Sequence, residues 1–129
     1  MSKDTADEEF LSTLYHALRT PRRRRVIRLL ADTTEPVLPV RQVAREIAAR
    51  EHGVPSRHAT GEPYRNVYNA LSQTHLPTLA SANIVIYDPE RQTVAAGQNL
   101  ALAALLVATN RLAIETLQTG KPPNGNDLL

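Results

Sequence analysis

"HLPTLASANIVIYDPERQTVAA", residues 75–96, changes its periodicity part-way along, and that change decides the fold. Its first part still carries Leu76 and Leu79 at helical spacing. "NIVIYD" and "TVAA" are then two short β-rich runs separated by the turn residues "PERQ", which predicts a hairpin. Gly97 ends it.

Upstream, "YRNVYNALSQTHLPTLASAN" places Tyr64, Tyr68, Leu71, Leu76 and Leu79 on one side, a stripe slightly wider than an ideal helix gives. Pro77 lies inside it and removes the bond to the carbonyl of Gln73, so a kink is expected. "HGVPSRHATGEP" is a loop, with Gly53 stopping one helix and Thr60 or Gly61 preceding the next. Val40, Val43, Ala44, Ile47 and Ala48 stripe a helix over about Val40–Glu51. "DTTEPVLP" reads as a turn and a short extended piece, because Pro36 and Pro39 bias their preceding residues away from helix. A helix over Pro21–Ala31 turns Val26, Ile27, Leu29 and Leu30 inward. Another, near 6–19, follows a capping-box pattern Thr5-x-x-Glu8 and carries Phe10, Leu11, Leu14 and Leu18. Residues 98–118 form the last helix. The order is helix, helix, strand piece, helix, helix, hairpin, helix.

"TPRRRRVIRLLAD", residues 20–32, raises a separate question. Pro21 suits the first helical position and Thr20 an N-cap. Yet Arg22, Arg23, Arg24 and Arg25 then sit at the positive end of a helix dipole, where each costs roughly 0.3–1 kcal/mol. At about 100° per residue they circle the helix and cannot all face one ligand. Contact with phosphates, pairing with the acids Asp7, Glu8 and Glu9, and plain solvation are the competing explanations.

The bulk numbers narrow the field. At 129 residues the chain holds one modest core. Thirteen of its fifteen basic residues are arginine, and six of those fall between Arg19 and Arg28. The net charge is only +2, so a local basic patch is the pointer to a polyanionic partner. There is no cysteine, which excludes disulfides and thiolate metal sites. His16, His52, His58 and His75 lack metal-ligand spacing. No nucleophile motif, phosphate-cradling glycine loop or carboxylate pair suggests catalysis, and no cofactor is implied. "MSKDTADEEF" has no apolar signal core, and "LALAALLVATNRLAIETL" is broken by Asn110, Arg111 and Glu115 short of a bilayer span. A cytoplasmic protein without a membrane partner is expected.

The element order is that of a winged helix-turn-helix: mainly α, with a small β-hairpin wing and flanking N- and C-terminal helices. "LYHALRTPRRRRVIRLLAD" resembles the opening of arsenic-repressor-like regulators, and "HLPTLASANIVIYDPERQTVAA" the end of their recognition helix, its link and the wing. The chain is most similar to an uncharacterised winged-helix family of halophilic archaea, patterned "PRRRRVLRLLAD", "REIAAREHG", a Tyr-rich helix and "QTHLPKLADAGVVEYD". The resemblance spans about residues 10–96. Asn83 stands where the pattern has Gly, and asparagine tolerates the positive φ such a turn requires. Thr78 replaces a frequent Lys, removing a phosphate contact.

The resemblance implies duplex DNA as partner and the Tyr64 helix as reader. With its stripe inward, that helix offers Arg65, Asn66, Asn69, Gln73 and Thr74, side-chain types that address base edges. Arg22, Arg23 and Arg24, with Arg41 and Arg45 on the preceding helix and Arg91 in the hairpin turn, are the candidate phosphate contacts.

Residues 98–118 carry two apolar stripes, Leu102, Leu105, Leu106, Leu112 and Ala113 against Leu100, Ala104, Val107, Ile114 and Leu117. A helix apolar on two sides must be buried on two sides, and a second copy of the chain is the economical cover. The expected organisation is a DNA-binding domain over 1–97, a dimerisation helix over 98–119 and a disordered tail over 120–129. The expected function is a homodimeric, sequence-specific transcription regulator. A protein-binding winged helix and a non-specific DNA-coating protein are the rivals.

Overall fold

The computed structural model describes residues 3–119, with side chains over 4–112. The elements are α1 (Lys3–Leu18), α2 (Pro21–Asp32), β1 (Val37–Pro39), α3 (Val40–His52), a 3₁₀ turn (Ser56–His58), α4 (Gly61–Ala70), a π-turn (Leu71–His75), α5 (Leu76–Ser81), β2 (Val85–Asp88), β3 (Thr93–Ala96) and α6 (Leu100–Thr119). A mainly helical chain with a small antiparallel sheet is compatible with a winged-helix layout, as the order of elements predicts. The tail over 120–129 lies outside the described residues, as do the side chains of Ala113, Ile114 and Leu117.

The extended piece before α3 becomes a strand of the wing. β3 pairs antiparallel with β2 on one edge and with β1 on the other, in the order β1-β3-β2. This ties the start of α3 to the hairpin, and the Val40 N–H donates to the Gln92 carbonyl at 2.9 Å.

The core is aliphatic. Leu14, Ile27, Val43, Ile47, Val67, Leu71, Leu79, Ile84 and Val94 are among its sealed members. Every residue of the predicted α3 stripe is buried. α1 departs from expectation in two ways. It begins at Lys3, so Thr5 lies inside the first turn and is not an N-cap. Among the described residues of this helix only Leu14, Ala17 and Leu18 reach the core, while Phe10 and Leu11 stay exposed.

The break expected at Pro77 takes the form of a π-turn. The Leu76 N–H reaches the carbonyl of Leu71, five residues back, and Pro77 falls in the first turn of α5, where its missing N–H is harmless. The extra residue returns both Leu71 and Leu76 to the core, which explains the over-wide stripe. Val67 is the inward residue that stripe omits; Tyr64 and Tyr68 are half-buried at its edge.

Asn83 has φ 58°, the left-handed conformation expected of it. The chain then crosses closely over Gly97, whose N–H donates to the Ile84 carbonyl at 2.9 Å.

Candidate nucleic-acid interface

The four arginines have four different surroundings. Arg22 makes a two-pronged ion pair with Glu51 of α3, Nε to Oε2 at 2.8 Å and Nη2 to Oε1 at 3.0 Å. Arg23 is buried, with 7% of its surface exposed. Its Nε donates to the Ala17 carbonyl at 2.7 Å and its Nη2 to the His16 carbonyl at 3.0 Å. Arg24 donates through Nη1 to the Leu18 carbonyl at 2.8 Å. Arg25, half-buried like Arg22 and Arg24, makes no such bond among the described residues.

These contacts resolve the dipole conflict. The last carbonyls of α1 have no partners within their own helix and form the negative end of its dipole. Arg23 and Arg24 lie at the positive end of α2 but also at the negative end of α1, and they cap it. Arg23 therefore leaves the set of candidate phosphate contacts: its guanidinium is sealed inside. Arg22 and Arg24 are half-buried and similarly engaged. The acids expected as partners, Asp7, Glu8 and Glu9, lie on the exposed N-terminal part of α1, and Glu51 takes the pairing instead.

α4 and the π-turn carry the candidate base-contacting residues. Arg65, Asn66, Asn69, Gln73 and Thr74 are all exposed, the last two in the π-turn. Glu62, in the first turn of α4, shares that exposure and places a carboxylate near the helix start.

Beside this face the wing and α3 meet. Pro39, Arg41, Tyr68, Arg91, Gln92 and Thr93 line a cleft of about 270 Å³, so two candidate phosphate contacts distant in sequence share one opening. Arg45 stacks over Tyr64, its Cζ 5.8 Å from the ring centroid, and Tyr64 lies 6.0 Å from Tyr68.

Gln92 holds this corner together. Its Oε1 accepts from Tyr68 Oη at 2.8 Å and Ser72 Oγ at 3.0 Å. Its Nε2 donates to Tyr87 Oη at 2.9 Å and to the Pro89 carbonyl at 2.8 Å. Its backbone has φ 53°, unusual for a residue with a side chain this long. The hydrogen bonds fix the wing against α4. Nothing in "PERQ" signals this role, because the partners lie on other elements.

A family model matches residues 15–95, described as a domain of unknown function, DUF7344. The chain belongs to that family. Neither the curated proteins nor the solved structures gave a match. The matched span runs from the last turn of α1 to Ala95 in β3, so both the candidate base-contacting face and the wing cleft fall within the DUF7344 domain, while α6 follows it. Among the described residues, no helix is long and apolar enough to cross a membrane.

His75, at the end of the π-turn of this domain, joins it to α2. Its Nδ1 lies 3.4 Å from Arg23 Nη1. Burial, then the charges of Arg23 and Arg22, hold its pKa below 6.5 against the opposing pull of Glu51. Unfolding therefore takes up a proton between the folded and unfolded pKa values. Stability is therefore full above 6.5 and falls as pH drops through the folded value. The denaturant midpoint should decline on going from about pH 7.5 to about pH 5, and His75→Gln should flatten that decline. Glu51, held below 4.5 first by its hydrogen bonds from Arg22, loses its contribution only in more acid solution, so the two effects separate.

Proposed function

We propose that the chain is a sequence-specific, DNA-binding transcription regulator that acts in the cytoplasm as a homodimer. The observation that carries this reading is the exposed face of Arg65, Asn66, Asn69, Gln73 and Thr74 beside the cleft shared by Arg41 and Arg91. The first set has the chemistry to address base edges and the second to anchor the flanking phosphates. The resemblance to arsenic-repressor-like regulators supports the same assignment of helix and wing.

The dimer reading rests on α6. Leu100, Ala103 and Val107 pack inward, while Leu102 and Leu105 are 39% and 62% exposed. Leu106 packs partly against its own core and Leu112 is half-buried, so the expected seam narrows to Leu102 and Leu105, with Phe10, Leu11 and Tyr15 of α1 also exposed.

A salt series of DNA titrations tests the proposal. Asn69→Ala should cost about 1–3 kcal/mol on the preferred site and little on random duplex. Arg41→Gln and Arg91→Gln should each flatten the plot of log affinity against log salt by about 0.9 and weaken all sequences alike. Arg22→Gln and Arg24→Gln should leave that slope unchanged, since their charges are engaged internally. Saturation should count two chains per site. No binding of random duplex at low salt overturns the reading in favour of a protein-binding module. One feature favours that rival: Val37, Ala95 and Ile86 align across the three strands, and the outer two are exposed.

A further inference from the structure

α2, α3, the 3₁₀ turn and α6 enclose a second cleft, of about 450 Å³, to which α4, the π-turn and the hairpin contribute no lining residue. That volume suits a small organic molecule. Four arginines from three helices line it: Arg25 and Arg28 of α2, Arg50 of α3 and Arg111 of α6. Two carboxylates, Asp32 and Glu46, share the lining, leaving an excess of two positive charges. Among the described residues neither acid lies within ion-pair distance of any of the four guanidiniums. Glu51 attracts Arg25 through space, but both its oxygens are hydrogen-bonded to Arg22 and it does not line the cleft.

Like charges gathered this way repel one another. Arg28 shows it: burial first, then Arg111, Arg24, Arg50 and Arg25, press its pKa downward. A folded chain that converges four cations from sequence positions this far apart, without pairing them, has a place for an anion. Guanidiniums match phosphate oxygens with their forked donors, and Leu29 and Val54 supply an apolar wall alongside.

We infer that this cleft binds a small organic phosphate, its dianionic group held by Arg25, Arg28, Arg50 and Arg111 and its apolar body resting against Leu29 and Val54. The site is separate from the reading face and makes no use of the DNA proposal. A ligand there would touch α2, α3 and α6 at once, and so would bridge the DUF7344 segment and the helix that follows it.

Phenyl phosphate and inorganic phosphate are the probes, titrated into the full-length chain by calorimetry and thermal unfolding, with sodium chloride holding ionic strength constant. Phenyl phosphate should bind saturably, one per chain, and raise Tm by about 3–6 °C at a tenfold excess over Kd. Inorganic phosphate, lacking the apolar body, should bind about tenfold more weakly. Arg28→Gln with Arg50→Gln should weaken phenyl phosphate by at least about tenfold. Arg111→Gln, an exposed position whose loss leaves the core intact, should weaken it in the same direction. Arg19→Gln, which removes one positive charge elsewhere, should not. Equal affinity for the two probes overturns the organic ligand, and absent or unsaturable binding overturns the site. Undiminished binding by Arg111→Gln and the double variant overturns the arginine assignment. Displacement of phenyl phosphate by a short duplex, with Arg111→Gln also losing DNA affinity, would make the cleft a DNA contact and refute the proposal.

Discussion

Arg23→Ala should unfold far more readily than any other single replacement in the arginine run, losing about 3–4 kcal/mol in denaturant titration. The side chain makes two charge-assisted bonds to the final carbonyls of α1, at 2.7 and 3.0 Å, from a position only 7% exposed. Truncation removes both donors in a space that water does not reach freely, leaving the His16 carbonyl only the long bond from the Arg19 N–H at 3.3 Å, and each lost bond is worth about 1.5–3 kcal/mol. Against a total stability of roughly 5–15 kcal/mol for a domain, that loss is severe. Arg24→Ala, with one bond at 2.8 Å from a half-buried site, should lose about 1 kcal/mol. Arg22→Ala opens a partly exposed ion pair and should also lose about 1 kcal/mol. Lysine at position 23 has no fork and should restore only part of the loss. An Arg23→Ala variant as stable as wild type would show that the end of α1 needs no cap.

Gly97→Ala should be the second large effect, at about 2–3 kcal/mol. The conformation of Gly97 is not the obstacle; space is. A Cβ placed there would lie 2.6 Å from the Asn83 oxygen, 2.8 Å from the Ile84 carbonyl carbon and 2.9 Å from the Val85 nitrogen. All three are backbone atoms, so no side-chain rotation relieves the clash. Yielding would stretch the bond from the Gly97 N–H to Ile84 and the neighbouring one from the Asn99 N–H to the Asn83 carbonyl at 2.8 Å. These bonds dock the hairpin and the start of α6 on the link after α5. A lower Tm together with altered hydrogen exchange at the amides of position 97 and Asn99, the donors of those two bonds, would confirm the mechanism. Unchanged exchange at both amides would show that the crossing is looser than its distances imply.

The two variants separate what was legible in the sequence from what was not. Local chemistry and periodicity determined the elements. The α3 stripe from Val40 to Ala48, the breaks at Pro36 and Gly53, and the tolerance of Asn83 for positive φ each depend on neighbours within a few residues, so pattern suffices to read them. The over-wide stripe of the Tyr64 helix was likewise a local signal, a five-residue step from Leu71 to Leu76 that only a π-turn accommodates.

The roles of the arginines were not legible, because residues about 100° apart on a helix meet different partners and the sequence does not say which. Arg22 finds Glu51 across 29 positions, Arg23 and Arg24 find the carbonyls that end α1, and Arg25 joins a cleft completed by Arg50 and Arg111. Gln92 gives the same lesson from within a turn: its place is set by Tyr68, Ser72 and Tyr87 on other elements. The sequence alone thus determined which segments become helix and strand, since propensity and burial pattern act along the chain. Only the tertiary structure decided which charges are capped, paired or left open to a ligand, since long-range packing sets the solvent and partners that each one meets.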